Sequence, residues 1–489
     1  MLNKWKQTIS KFVCFVLTCQ LFILTVWAKP DWPSDTGIMA EAGIVMDMDS
    51  GAILYGQNIH LTYPPASITK ILTALIVLEN CNLDDTVTFS TTAVNQVEAD
   101  SGNKISVVAG DELSVEDCLY SMLLVSCNQA ANALAEHTAG SISAFVNMMN
   151  EKLAQLGCQE SHFENPSGLN GDNQYVSAYD MALIAQAAYD NETLVEISSA
   201  TTHKIAPTTQ NPDGFTIRGE HRLCVTEDPS SPYYYPEAIA GKTGYLIKAG
   251  NTLVTYAVKD NRRLVSVILK GQPRQYFVDG KALLEFGFRS FQHYTVADYE
   301  SRYVTGNETI NLDKGSFQAS DLMIDPDSVI TLPNSASFED ADITLGALPE
   351  ISPDNAVALL TYSYNDRTIG TAYLLAKDGV TIDGNDSASE AATTAFDTAN
   401  AEAPLATASN AEKPQRPHKH ISVAGVLITI LIVLLVLGVI GLISWFIYSK
   451  KKEAKALAKR RERRRPRLQR SGDEEEFERL LAEYKNKKK

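Results

Sequence analysis

A block of helical patterns between two regions of strand pattern limits, more than any other feature, how this 489-residue chain can fold. Near the start, two short apolar runs meet at Asp49-Ser50-Gly51, which predicts a β-hairpin. Four segments with apolar residues at helical spacing follow, and strand patterns return in GNTLVTYAV and RLVSVILKG. A last helix covers about residues 279–291. We therefore expect one α/β unit in which segments distant in sequence share an antiparallel sheet.

The composition changes after residue 291 and becomes rich in strand patterns. The clearest hairpin joins VALLTYSY to TIGTAYLLA at Asn365-Asp366-Arg367, so residues 292–384 are predicted to form a small all-β domain. Residues 385–420 are rich in Ala, Ser, Thr and Glu with scattered Pro, and they contain too few apolar side chains to fold. This segment is therefore predicted to be a disordered linker.

Both ends of the chain carry targeting patterns. Lysines precede an apolar run and V-W-A ends it at positions 26–28, so residues 1–28 are predicted to be a signal peptide. Residues 421–448 contain no charge and exceed the roughly 20 residues that cross a bilayer, which predicts a transmembrane helix. Residues 449–489 form a basic tail that marks the cytoplasmic side. We expect a single-pass protein of the cell membrane, with the bulk of the chain outside the cell.

Charge and cysteine content exclude some functions. The net charge is −16, although the last 40 residues hold 17 basic and 8 acidic side chains, so the extracytoplasmic part is strongly acidic. An acidic domain argues against nucleic acid as a partner. The cysteines after residue 28 show no C-x-x-C spacing, so we interpret them mainly as small buried residues, with one disulfide possible and no metal site. They are Cys81, Cys118, Cys127, Cys158 and Cys224.

A serine and a lysine stand three residues apart where a long apolar helix is predicted to begin. They are Ser67 and Lys70 in PPASITKILTALIVLEN. One helical turn places both side chains on the same face. A lysine with a depressed pKa can remove the proton of a serine, which is otherwise a poor nucleophile. Taken alone, the pair is more often a capping serine followed by an exposed lysine.

Two further segments make the catalytic interpretation specific. LLVSCNQAANALAEH places Ser126-Cys127-Asn128 at a break between helical patterns, and EAIAGKTGYLIKAGNTLV places Lys242-Thr243-Gly244 at the front of a strand. Ser-x-x-Lys, Ser-x-Asn and Lys-Thr-Gly, in this order, are signatures of penicillin-binding proteins and class A β-lactamases. Over about residues 41–384, the chain resembles the serine D-alanyl-D-alanine carboxypeptidases, the low-molecular-weight penicillin-binding proteins.

The resemblance implies a fold, a reaction and partners. Residues 29–291 would have the penicillin-binding/β-lactamase-like transpeptidase fold, an α/β fold with an antiparallel sheet and a helical subdomain, as the catalytic domain. The substrate would be the D-Ala-D-Ala terminus of the peptidoglycan stem peptide, and β-lactam antibiotics would be covalent inhibitors. The C-terminal helix would hold the enzyme in the membrane. No metal or organic cofactor is implied.

The resemblance also gives each motif residue a role. Ser67 would attack the penultimate D-alanine carbonyl, and Lys70 would take its proton because burial and the charge of Lys242 depress its pKa. Ser126 would pass a proton towards the leaving amine. Asn128 would hold Lys70 and the substrate backbone through its amide.

The strand residues would bind the substrate. Lys242 and Thr243 would bind the terminal carboxylate, and Gly244, without a Cβ, would let the substrate lie along the strand. The N–H groups of Ser67 and Tyr245 would form an oxyanion hole, in which each donor is worth about 3 kcal/mol.

Some residues depart from the family pattern, and two other functions are considered. Cys127 stands where Gly or Ala is more familiar and is interpreted as a packing residue, while Leu246 and Ile247 replace a threonine and an acidic residue. Arg274 lies near the place of a substrate-binding arginine but is more simply interpreted as part of a surface salt bridge. A β-lactamase would need a glutamate-positioned water, and no Glu-x-x-Leu-Asn stands near Glu164. A non-catalytic β-lactam or peptidoglycan sensor acylated at the same serine is the alternative.

Overall fold

The computed structural model describes residues 29–98, 101–349 and 351–382. The predicted signal peptide, linker, transmembrane helix and basic tail lie outside these residues. Within the described ranges, no helix is both long enough and apolar enough to cross a bilayer.

The strands of the first part of the chain include both short and long elements. They are β1 (Ala42–Asp47), β2 (Ile53–Gln57), β3 (Thr62–Tyr63), β4 (Thr86–Thr88), β5 (Glu112–Ser114), β6 (Val176–Ser177), β7 (Thr202–Ile205), β8 (Phe215–Arg218), β9 (Ala238–Leu246), β10 (Gly250–Lys259) and β11 (Arg262–Gly271).

The α-helices stand mostly between β2 and β9. They are α1 (Lys70–Asn80), α2 (Thr91–Asn95), α3 (Val115–Leu124), α4 (Asn128–Ala139), α5 (Ile142–Gln155), α6 (Ala178–Tyr189), α7 (Glu192–Ser199), α8 (Arg222–Val225), α9 (Gln275–Ser290) and α10 (Val296–Tyr299).

The main sheet joins strands from both ends of this region. Its order is β2-β1-β11-β10-β9, and every neighbouring pair is antiparallel. The expectation that distant strands share an antiparallel sheet is confirmed. In the described part of the chain β9 pairs only with β10, so one edge of β9 is free to meet a ligand.

Alternate residues of the central strands face two different cores. Ile44 and Met46 of β1 belong to the core on the helical side, where α6 packs on β1 and β11 and α1 packs on α6. Val45 and Leu264 belong to the opposite core, which α9 covers. This alternation is what a sheet buried on both faces requires, because successive side chains point to opposite sides.

Helix α1 is the buried centre of the helical side. All residues from Lys70 to Val77 are buried, and most of them are Ile, Leu or Val. Each such aliphatic side chain contributes about 1.5–3 kcal/mol when fully buried. The helix therefore holds its first residue, Lys70, at a well-fixed position in the core.

The second part of the described chain consists mainly of strands. They are β12 (Phe291–Thr295), β13 (Thr309–Leu312), β14 (Gly315–Gln318), β15 (Leu322–Ile324), β16 (Val329–Pro333), β17 (Asp342–Gly346), β18 (Ala356–Tyr364) and β19 (Arg367–Ala376). Four of them form a sheet in the order β15-β19-β18-β17, and β12 pairs with β16. Tyr362, Tyr364 and Ile330 lie in a separate core. The domain boundaries expected from the sequence stay predictions.

A buried carboxylate connects the main sheet to this β-rich part. Asp47, at the end of β1, is fully buried, and its Oδ2 lies 2.7 Å from Nε2 of His293 and 3.4 Å from the guanidinium of Arg262. Next to it, the hydroxyl groups of Ser50 and Thr331 are 2.7 Å apart. These contacts fix β12 and β16 against the β1–β2 hairpin.

Two local expectations differ from the structure. Helix α9 begins at Gln275, four residues before the predicted start, because the turn after β11 leads directly into it and Phe277 packs in the core below the sheet. The five described cysteines are all free thiols, so the disulfide left open by the sequence is not formed between them.

Candidate active site

Ser67 and Lys70 lie at the junction between a 3-10 turn and helix α1. The turn covers Ala66–Thr69, and Lys70 begins the helix. The Nζ of Lys70 donates hydrogen bonds to Oγ of Ser67 at 3.0 Å, to Oδ1 of Asn128 at 2.7 Å, and to the carbonyl oxygen of Ser167. The structure therefore brings the hydroxyl and the amine into direct contact.

The second motif lies at a sharp break between α3 and α4. Ser126 has φ +64°, a left-handed conformation that costs a non-glycine residue about 1–3 kcal/mol. Directly after it, the Sγ of Cys127 accepts a hydrogen bond from the N–H of Ala130 and caps α4, which begins at Asn128. The break turns Ser126 into the cleft and Asn128 towards Lys70. Among the described residues, Oγ of Ser126 makes no hydrogen bond.

The third motif lies within β9, at the free edge of the sheet. Lys242 is buried, and its Nζ donates to the carbonyl of Thr243 at 2.9 Å. A methyl group on Gly244 would lie 2.8 Å from the backbone nitrogen of Ser67 and 2.4 Å from Oγ1 of Thr252. Glycine is therefore required for β9 to pass this close to the serine.

The electrostatics of the two lysines are unusual. Burial, and then the nearby charge of Lys242, lower the pKa of Lys70 well below its ordinary value. Burial lowers the pKa of Lys242 to about 8, while the charge of Glu220 opposes that shift. Lys70 is thus suited to accept a proton, and Lys242 keeps a positive charge near neutral pH.

A cleft of about 700 Å³ opens above these residues. Ser67, Ser126, Asn128, Thr243, Gly244 and Tyr245 all line it, which brings the residues predicted from three separate segments into one site. Lys70 and Lys242 lie beneath them as buried groups. The tyrosine ring is exposed, so this residue contributes mainly through its place on the strand.

A loop outside the three motifs completes the site. Its carbonyl at Ser167 is an acceptor for Lys70, and Gly168 has φ +83° with its Cα so close to Ala66 that a methyl group would overlap the carbonyl of that residue. The side chain of Asn165 accepts from the N–H of Gly168 at 2.8 Å and holds the loop. Sequence reasoning missed this acceptor because a backbone carbonyl has no residue-type signature.

The structure also shows the surroundings of Cys127 and Arg274. Cys127 is buried, and burial raises the pKa of its thiol to about 11, so it stays protonated. Arg274 is exposed at the start of α9, and the expectation of a salt bridge is wrong within the described residues, where no carboxylate lies within 4.0 Å of it. It does not line the cleft, whereas Arg222 does. The signal that could have found Arg222 is its position between β8 and β9, next to the free edge of the sheet.

Comparison with known proteins identifies the family. A family model described as D-alanyl-D-alanine carboxypeptidase, Peptidase_S11, matches residues 29–272. The chain is 35% identical over 265 residues to the D-alanyl-D-alanine carboxypeptidase DacB2 of Mycobacterium tuberculosis, covering 53% of this chain and 84% of that protein. It is 30% identical over 357 residues to the D-alanyl-D-alanine carboxypeptidase DacA of Haemophilus influenzae, covering 69% of this chain and 84% of that protein.

A solved structure is similar over a longer part of the chain. The crystal structure of penicillin binding protein 6B from Escherichia coli matches 71% of this chain and 98% of its own, with a TM-score of 0.52 and 23% sequence identity. This similarity shows the fold, a penicillin-binding-protein fold.

Proposed function

This chain belongs to the D-alanyl-D-alanine carboxypeptidases, the serine peptidases of family S11, and from that premise we propose that Ser67 is the nucleophile and Lys70 its base. The single observation that carries this assignment is the 3.0 Å contact between Nζ of Lys70 and Oγ of Ser67. A buried lysine with a depressed pKa can accept the hydroxyl proton as the serine attacks.

The acylation step follows from the positions of the groups. As Oγ of Ser67 bonds to the carbonyl carbon of the penultimate D-alanine, its proton moves to Nζ of Lys70. The negative charge that develops on the carbonyl oxygen would be stabilised by the N–H groups of Ser67 and Tyr245. When the tetrahedral intermediate collapses, the bond to the terminal D-alanine breaks. The proton held by Lys70 passes through the hydroxyl of Ser126 to the leaving amine, which makes Lys70 neutral again.

Water then completes the reaction. As it attacks the ester on Ser67, Nζ of Lys70 takes one of its protons. The bond between the carbonyl carbon and Oγ of Ser67 then breaks, Lys70 returns that proton to Oγ, and the shortened peptide is released. Lys242 and Thr243 would bind the terminal carboxylate before acylation, since Lys242 is the buried positive charge beneath β9. Asn128 positions Lys70 through the 2.7 Å hydrogen bond to its side-chain oxygen.

The test is release of free D-alanine from diacetyl-Lys-D-Ala-D-Ala by the full chain. Ser67→Ala should abolish both release and covalent labelling by a fluorescent penicillin. Ser320→Ala, an exposed serine of the β-rich part, is the control and should keep both. Labelling that survives in Ser67→Ala would show that another residue is the nucleophile.

Turnover separates this function from the alternative of a sensor. Family membership does not favour the sensor. A carboxypeptidase releases many equivalents of D-alanine per protein, whereas a sensor would be acylated once and release almost none. Counting D-alanine per labelled site in the same experiment therefore distinguishes the two.

We also propose that residues 421–448 anchor the enzyme, with its catalytic part outside the cell and its basic tail inside. The support is an uncharged run longer than the roughly 20 residues of a membrane span, followed by a dense block of Lys and Arg. A chain that ends at residue 420 should leave the membrane fraction, while the full chain stays in it. Equal fractionation of the two chains would contradict the anchor.

A further inference from the structure

Two carboxylates line the cleft, and their surroundings differ. The backbone N–H of Glu220 donates a hydrogen bond to the carbonyl of Leu124, and the carboxylate of Glu220 lies 3.3 Å from Nζ of Lys104. Glu98 instead accepts hydrogen bonds from the backbone and side-chain N–H groups of Asn170, both at 2.8 Å. Within the described ranges, Glu98 has no cationic side chain within 4.0 Å. The charge of Glu220 is therefore balanced locally, while that of Glu98 is held in place by neutral donors.

The direction of β9 defines which part of a substrate meets each carboxylate. The terminal carboxylate of the peptide belongs at Lys242 and Thr243, and a peptide paired with the free edge of β9 extends from there towards Tyr245 and Ile247. The charge of Glu220 raises the pKa of Lys242, so Glu220 lies towards the end of the cleft that would bind the terminal carboxylate. The third residue of the stem peptide would therefore lie on the other side of Ser67, between the end of β9 at Tyr245 and the loop around Asn170, to which Glu98 is hydrogen-bonded.

The surface on this side of the cleft suits a long side chain with a charged tip. Tyr245 and Ile247 are 62% and 87% exposed, and both line the cleft, as does Leu169. Lysine-like side chains lay their methylene groups along apolar surface and keep the ammonium at a polar partner. Glu98, held by Asn170, provides that partner.

We propose that Glu98 is a specificity-determining residue, which binds the free side-chain ammonium of a diamino acid at the third position of the stem peptide. The inference depends on the proposed function, because it places the scissile carbonyl at Ser67. It follows from the one cleft carboxylate that has no cationic partner among the described residues, and from the apolar surface beside it.

Two substrates and two proteins test the proposal. Nα-acetyl-Lys-D-Ala-D-Ala has a free side-chain ammonium, and the diacetyl peptide does not. With the full chain, kcat/KM for D-alanine release should be roughly five- to tenfold higher for the free amine, as expected for a partly exposed charge-assisted hydrogen bond. In Glu98→Gln the ratio should fall to about one. Added salt should reduce the preference of the parent protein.

Two further variants keep the test decisive. Glu220→Gln removes the carboxylate at the other end of the cleft and should retain the preference for the free amine. Glu98→Lys should favour a peptide whose lysine is succinylated and therefore anionic. Fluorescent penicillin labelling checks that each variant has a folded site.

The outcomes separate this inference from the proposed function. Equal rates for the two peptides in the parent, or an unchanged preference in Glu98→Gln, would overturn the role of Glu98 while leaving the carboxypeptidase mechanism intact. No D-alanine release from either peptide would overturn the proposed mechanism and this inference with it.

Discussion

The active-site cleft and the cluster around Asp47 both contain buried ionisable groups. Only around Asp47 does the buried group have partners that can carry the opposite charge. Among the described residues, neither Lys70 nor Lys242 has a carboxylate within 4.0 Å, and burial lowers the pKa of both. Asp47 is bonded to His293 and lies beside Arg262. Burial alone would raise its pKa, but the hydrogen bond and charge of His293, with Arg262, hold the pKa below its ordinary value.

The difference shows two uses of buried charge. Burial without a partner destabilises the charged form of a lysine and so lowers its pKa, which is the property that a base needs. Such a lysine contributes little to the stability of the fold. A paired buried carboxylate fastens two parts of the chain, and removal of one partner leaves the others uncompensated. Mutations in the two regions should therefore separate activity from stability.

The largest effect on activity is expected from Lys70→Met. Without a base, the serine is not activated, and D-alanine release should fall by about 10³-fold or more. The unfolding free energy should change by no more than about 1 kcal/mol, since the cost of burying the amine is removed together with its hydrogen bonds. Activity assays and thermal unfolding measure the two effects.

Lys377→Met, an exposed lysine of the β-rich part, is the matched control and should change neither quantity. If Lys70→Met destabilised the protein by several kcal/mol, the lysine would be a structural group, and the contrast between the two regions would fail.

Asp47→Ala should have the largest effect on stability. It leaves His293 and Arg262 without their shared partner, which costs about 3–5 kcal/mol for a buried pair. D-alanine release by the folded protein should stay within a few-fold of the parent, because Asp47 does not line the cleft. Denaturant unfolding followed at several pH values measures the loss.

The pH dependence of this loss has a definite sign. Because the folded-state pKa of Asp47 is depressed, its stabilisation is fully present above the ordinary pKa of 3.8 and disappears as the pH falls through the folded value. The parent and Asp47→Ala should therefore converge in stability at strongly acidic pH. Asp342→Ala removes an exposed carboxylate that pairs with Lys29, and it should cost at most about 1 kcal/mol.

The sequence predicted the chemistry of the cleft better than its geometry. Ser67, Lys70 and Lys242 could be found because their residue types and order are distinctive, and the enclosing strand patterns indicated that distant segments would meet. The left-handed conformation of Ser126 could not be found in the same way, since serine does not favour it and tertiary contacts impose it.

The supporting groups were hidden for related reasons. The acceptor at Ser167 is a backbone carbonyl, and Cys127 is the N-cap of α4, a position usually occupied by Ser, Thr, Asp or Asn. The pairing of Asp47 with His293 joins residues 246 positions apart, and neither lies in a recognisable motif. Contacts of this kind become visible only when the fold brings the segments together.

The alkaline limb of the pH profile provides a sharper test of the cleft. Lys242 must be protonated to bind the terminal carboxylate, and its pKa is about 8. Below that value the charge is present, and above it kcat/KM should fall about tenfold per pH unit. Lys242→Arg keeps its charge at all accessible pH values and should lose this limb. A limb that persists in Lys242→Arg would assign the titration to another group.

The smallest expected effect is that of Glu220→Gln on the same limb. The negative charge of Glu220 raises the pKa of Lys242 and partly offsets its burial, so the amide should let the pKa fall. The alkaline limb should move to lower pH by less than about one unit, because Glu220 is partly exposed and screened by water and salt. Glu237→Gln removes a carboxylate that pairs with Lys259, away from the cleft, and should leave the limb in place. An unchanged limb in Glu220→Gln would mean that the charge of this carboxylate has no part in the electrostatics of Lys242, and that the lysine is unpaired in the cleft in the full sense.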